Sequence, residues 1–118
     1  MDLELLSPIF YRPSTAVSVS VSPDSHYDAV IVSSGNTSTF TATPSGGTAP
    51  YTYSWTLLSQ SGDGTVSVDT PTASSTSLDY TGLVSTGQYV DYSFQCTVLD
   101  SFGATAYSIV SGSVNRVF

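Results

Sequence analysis

Between Tyr51 and Leu57 the chain alternates large and small side chains without a break. Tyr51, Tyr53, Trp55 and Leu57 fall on one parity, and Thr52, Ser54 and Thr56 on the other. A period of two places every second side chain on the same side of an extended backbone, so this segment reads as a half-buried strand. The pattern recurs along the chain. Val17, Val19 and Val21 alternate with serines, Phe40 and Ala42 stand between threonines, and Val66 and Val68 make a short strand. Leu78 and Tyr80 share a face, as do Tyr92, Phe94, Cys96 and Val98, and Thr105, Tyr107 and Ile109 alternate through a last long strand.

Turn chemistry separates these runs: Pro23, Ser34-Gly35-Asn36, Pro44 to Pro50, Ser59 to Gly64, Pro71 to Ser75, Thr81 to Gly87, and Asp100-Ser101-Phe102-Gly103. Ala29 to Val32 is a further short apolar run, read as another strand or strand edge, and Ser25-His26-Tyr27-Asp28 before it reads as a loop. Val114 to Phe118 either extends the last strand or forms a tail. Strands of about five to eight residues with turns every 8–12 residues predict an all-β sandwich.

Composition agrees. A chain of 118 residues has room for one core. Hydrophobic residues make up 40% and aromatics 12%, enough to build that core, while only 9% of residues are charged. Scarce Leu, Glu, Lys and Gln deprive any long helix of its best formers. Net charge is −7, with no lysine and only Arg12 and Arg116 as strong cations. Phosphate backbones and anionic membranes are therefore excluded as partners. No apolar run approaches the roughly 20 residues that cross a bilayer. The Met-Asp-Leu-Glu-Leu-Leu start lacks a secretory n-region and h-region, so the expectation is folding in the cytoplasm without export.

Residues 1–15 break the period. Leu3, Leu5, Leu6, Ile9, Phe10 and Tyr11 crowd together around Pro8 and Pro13, followed by Arg12 within the same run. The prolines forbid an uninterrupted helix or central strand, so an extended N-terminal arm is predicted ahead of a domain over 16–118. Its apolar content calls for packing, either on the edge of its own sandwich or on another chain. Under the second reading, Leu3, Leu5, Leu6, Ile9, Phe10, Tyr11 and Arg12 are the candidate docking residues.

The stretch Gly46-Gly47-Thr48-Ala49-Pro50-Tyr51-Thr52-Tyr53-Ser54-Trp55 resembles the polycystic-kidney-disease (PKD) domains and the bacterial or phage immunoglobulin-like domains. A Gly-rich turn there leads into Pro-Tyr-x-Tyr-x-Trp. Tyr92 to Gly103 is similar to the penultimate strand of those families and its Asp-Ser-x-Gly hairpin. The resemblance covers about residues 16–115 and implies an antiparallel immunoglobulin-like (PKD-like) β-sandwich of about seven strands. Two departures separate it from antibody domains: Phe40 or Ala42 stands where a second cysteine would pair with Cys96, and Phe94 replaces the tyrosine two residues before it. Lysine-poor Ser/Thr-rich domains of this kind resemble modules of phage capsids and tails. The implied role is a non-enzymatic virion accessory protein, made in the host cytoplasm and docked through its arm on a capsid or tail protein.

Chemistry is limited by inventory. His26 is the single histidine and Cys96 the single cysteine, so a nucleophile–base pair has one option and an internal disulfide none. Zinc lacks a ligand set. Asp24 with Asp28, and Asp63 with Asp69, are the carboxylate pairs that calcium would need, but no Asp-x-Asp-x-Asp loop is present and Asp63-Gly64 reads as a hairpin turn. No enzyme activity, metal or cofactor is expected. Asn36-Thr37-Ser38 matches a glycosylation sequon but reads as turn chemistry. Tyr11, Tyr27, Tyr89 and Tyr107 are candidates to stack on sugars at a cell surface, whereas Tyr51, Tyr53 and Tyr92 belong to core faces. A homo-oligomer through exposed strand edges remains open, since no lysine blocks them.

Overall fold

Pairing begins where the alternation begins. In a computed structural model that describes residues 16–118, Val17 is buried and the first strand, β1 (Ser18–Ser22), follows it. Nine more strands succeed it: β2 (Ser25–Val30), β3 (Gly35–Asn36), β4 (Phe40–Ser45), β5 (Thr52–Gly62), β6 (Thr65–Val68), β7 (Ser75–Thr76), β8 (Leu78–Thr81), β9 (Tyr89–Leu99) and β10 (Thr105–Arg116). The described residues hold no helix.

A four-stranded sheet has the order β2-β10-β9-β5, and two three-stranded sheets have the orders β1-β4-β7 and β3-β8-β6. One buried cluster joins all three. Phe40 and Ala42 come from the first small sheet, Val66, Leu78 and Tyr80 from the second, and Trp55, Phe94, Cys96, Val98 and Val110 from the large one. The small sheets thus cover the inner face of the large sheet, in a sandwich-like arrangement. They also run into each other. Gly35 pairs with Tyr80 and Phe40 with Thr76, a change of register by one residue, and Thr37 fills the seam. Its N–H donates to the Leu78 carbonyl at 2.8 Å and its hydroxyl accepts from the Leu78 N–H at 2.9 Å.

The centre of the large sheet is β9, paired antiparallel along its length with β5 on one side and β10 on the other. Val90, Tyr92, Phe94, Cys96 and Val98 all turn inward and are buried. Aromatic rings lock the middle: Phe40 meets Phe94 edge-on at 5.0 Å, and Trp55 lies tilted against Phe94 at 5.6 Å.

Four local expectations are corrected. Ser25 to Asp28 is not a loop but the start of β2, and β2 runs parallel to β10, so the sheets are not wholly antiparallel. Its side chains alternate without an apolar face, and the pairing comes from β10. Ser59 to Gly62 continues β5 past a bulge at Leu58 instead of forming a polar turn. Asp63-Gly64 is a corner and not a hairpin: β5 stays with β9 while β6 crosses to β8. Gly35-Asn36, expected in a turn, forms β3.

Candidate functional site

Each residue type with chemical potential has a place in the fold. Cys96 is fully buried between Phe94 and Val98, and burial pushes its thiol pKa up to about 11, away from the reactive thiolate. Trp55 donates its indole N–H to the Ala73 carbonyl at 2.7 Å, and its backbone N–H to Pro71 at 2.8 Å. That pins the loop between β6 and β7 onto β5.

His26, on β2, turns its ring edge-on toward Phe40 and lies 3.4 Å from Asp28 through Nε2. Asp28 in turn accepts the Ser38 hydroxyl at 2.9 Å. The order Ser–Asp–His is wrong for a nucleophilic triad: the hydroxyl donates to the carboxylate, and the imidazole contacts that carboxylate instead of the hydroxyl. The arrangement instead ties β2 to the strand-linking segment before β4. Asp63 is also engaged, accepting the Tyr89 N–H at 3.1 Å, and Asp69 lies at the opposite end of β6. Among the described residues no three His, Cys, Asp or Glu side chains gather as metal ligands would.

Two interactions went unread in the sequence. Asp100 accepts N–H groups from Thr48 at 3.1 Å, Phe102 at 3.0 Å and Ala104 at 2.9 Å, fastening the Gly46-Gly47 loop to the β9–β10 hairpin. Burial raises its pKa, but the backbone N–H groups of Ala104, Thr48, Phe102 and Gly103 outweigh that and hold the carboxyl below its ordinary value. Gly47 has φ 61°, and a Cβ there would stand 2.7 Å from the Asp100 carboxylate. The Asp-Ser-Phe-Gly turn was the available signal, since aspartate caps its own turn. The second is Gly112. The Tyr92 hydroxyl occupies the space of its missing side chain, 2.4 Å from where a Cβ would be. This hydroxyl is buried with no hydrogen-bond partner among the described residues, and burial, then the charge of Asp28, raises its pKa. A glycine inside an alternating strand is the sign of such an approach.

The broad exposed feature is the outer face of the β2-β10-β9-β5 sheet. Registers place Tyr107 beside Thr97 and Ser54, Ile109 beside Gln95 and Thr56, and Ser111 beside Ser93 and Ser59. Leu99 lies between Thr105 and Thr52, while Tyr27 lies beside Ser113 and Tyr89 beside Asn115. Asp91 is the charged side chain of this face. Three sugar-stacking candidates, Tyr27, Tyr89 and Tyr107, therefore share one surface, and Tyr51, Tyr53 and Tyr92 pack on the core as expected. Tyr11 and the arm residues Leu3, Leu5, Leu6, Ile9, Phe10 and Arg12 lie outside the described residues.

Comparison with protein-family models, with curated proteins and with solved structures gives no match.

Proposed function

We propose that this chain is a non-enzymatic immunoglobulin-like module that serves as an accessory protein of a phage particle, as a capsid decoration or tail-associated protein. In this reading the arm, through Leu3, Leu5, Leu6, Ile9, Phe10, Tyr11 and Arg12, anchors it to a capsid or tail protein. The sandwich then stands outward, stabilising the particle or adhering weakly to surfaces.

Strand order supports the immunoglobulin-like part. Counted as continuous elements, β1 and β2 are one strand split between two layers, β3 with β4 is the next, and β7 with β8 another. With β5, β6, β9 and β10 that makes seven, in layers ordered β1-β4-β7/β8-β6 and β2-β10-β9-β5. The single observation that carries the binding role is the division of labour among side chains. Cys96, Asp100 and the His26–Asp28–Ser38 chain are all spent on holding the fold, while rings and hydroxyls cover an open sheet face.

Cosedimentation with purified particles tests this reading. The full chain should pellet with particles, and a chain lacking residues 2–13 should stay in the supernatant with its β circular-dichroism spectrum intact. Pelleting of the shortened chain would remove the arm as anchor, and absence of the protein from particles by mass spectrometry would remove the virion role. A second reading, an adhesion module for surface glycans, is favoured by the shared face of Tyr27, Tyr89 and Tyr107. A glycan array that stays blank across bacterial polysaccharides would sink it.

A further inference from the structure

We propose that a second copy of this chain packs against the outer face of the β2-β10-β9-β5 sheet, centred on Tyr107 and Ile109, to form a two-fold dimer. The first observation is an inversion of size along β10. Ala106 and Ser108 face the core, whereas Tyr107 and Ile109 face outward and are 65% and 52% exposed. The outward placement leaves apolar surface in water that a contact would bury.

The patch is contiguous. Tyr107 opposes Thr97 and Ile109 opposes Gln95, while Leu99, 40% exposed, lies diagonal to Tyr107 on the neighbouring strand. Charge then selects the occupant. The chain carries a net −7, yet the charge on this face is Asp91, opposite Ser113 toward the other end of β10. An oppositely charged partner would find Asp91 alone here to complement, whereas two copies meeting on faces with more carboxylates would repel. Serine and threonine hydroxyls around the patch both donate and accept, so they satisfy their own symmetry mates.

Size suits a weak dimer. Three strands about 4.8 Å apart and eleven residues long at about 3.3 Å each, with the six residues of β2 at one end, span about 600 Å², somewhat below the roughly 800 Å² that each partner buries in a standard interface. The inference is independent of the arm's anchoring role and differs from pairing through strand edges.

Sedimentation equilibrium of the full chain, from micromolar to about millimolar concentration, tests it. A concentration-dependent dimer is expected, and Ile109→Asp and Tyr107→Asp should each weaken it by at least about tenfold. Both positions point to solvent in the monomer, so circular dichroism of the dilute variants should match the parent. Val84→Asp, at a residue 66% exposed in the connection before β9, should leave the dimer unchanged. A chain that stays monomeric throughout overturns the proposal. So does a dimer that survives both β10 variants, and so does one lost on removing residues 2–13 but not on Ile109→Asp, which would make the arm the contact. Monomers whose glycan binding is abolished by Tyr107→Asp would give the face to a sugar instead.

Discussion

Two neighbouring strands, β9 and β10, share eleven paired positions in one sheet and use their two faces in opposite ways. On β9 the inward side chains Val90, Tyr92, Phe94, Cys96 and Val98 are all buried, and the outward ones include Ser93, Gln95 and Thr97. On the first half of β10 the inward residues are Ala106 and Ser108, and the outward ones are Tyr107 and Ile109. The difference teaches that alternation alone does not say which parity faces the core. The surroundings decide: Ala106 lies beside the buried Val98 and Ser108 beside the buried Cys96, under β1 of the facing layer, where the packed core takes small residues.

The sharpest way to break this contrast is to truncate one ring on each strand. Phe94→Ala should cost about 3–5 kcal/mol in urea denaturation, because it leaves a cavity that the close-packed core cannot collapse. Tyr107→Ala, measured at dilute monomer concentration, should fall within about 0.5 kcal/mol of the parent. Equal losses would mean that the outer face of β10 is part of the folding core.

A smaller effect is expected where the two strands meet β2. Gly112→Ala places a methyl group 2.4 Å from the Tyr92 hydroxyl and 2.5 Å from the His26 carbonyl. The side chain can shift but the backbone carbonyl cannot, so a loss of about 1–3 kcal/mol is expected from the same denaturation curves. No loss would show that β2 can move away from β10 without penalty.

Next comes the hairpin that joins the pair. Because Asp100 has a folded-state pKa below its ordinary value, its contribution is complete above the unfolded value of about 3.9 and fades as pH falls toward the folded one. Thermal melts between about pH 5 and pH 3 should therefore fall less steeply for Asp100→Asn than for the parent. Parallel curves would show that the three N–H contacts do not distinguish the charged form. The smallest effect belongs to Tyr92→Phe. Removing a buried hydroxyl that has no partner among the described residues should leave stability unchanged or raise it by up to about 1 kcal/mol. A clear loss would reveal a bond to that oxygen.

Much of this fold could be read from the chain because large residues marked the inward parity of β5 and β9. Trp55 and Cys96 faced the core as their neighbours required, and Asp100 to Gly103 turned where its residues demanded. The end of β2 was legible in the apolar run that starts at Ala29, but its first four residues were not, for the opposite reason. His26, Tyr27 and Asp28 carry no apolar face, and a strand held by its partner's backbone needs none. The corner at Asp63-Gly64 was misread because local turn chemistry is the same whether the next strand returns to its own sheet or leaves it. The outer-face patch was half visible: the alternation put Tyr107 and Ile109 on one parity, but Leu99 became their neighbour only through the register of β10 with β9.

The parallel pairing of β2 with β10 has a mechanical consequence. β2 lies near the chain's entry into the fold and β10 near its end, and six residue pairs join them in register. Tension applied between the two chain ends pulls β2 toward its start and β10 toward its finish, which are opposite directions along the same ladder. The hydrogen bonds are then loaded in shear and must yield together, not open one at a time from an end. A module tethered by one terminus and dragged by the other would resist extension at this seam, with its lifetime under load set by the rate at which the pair slips.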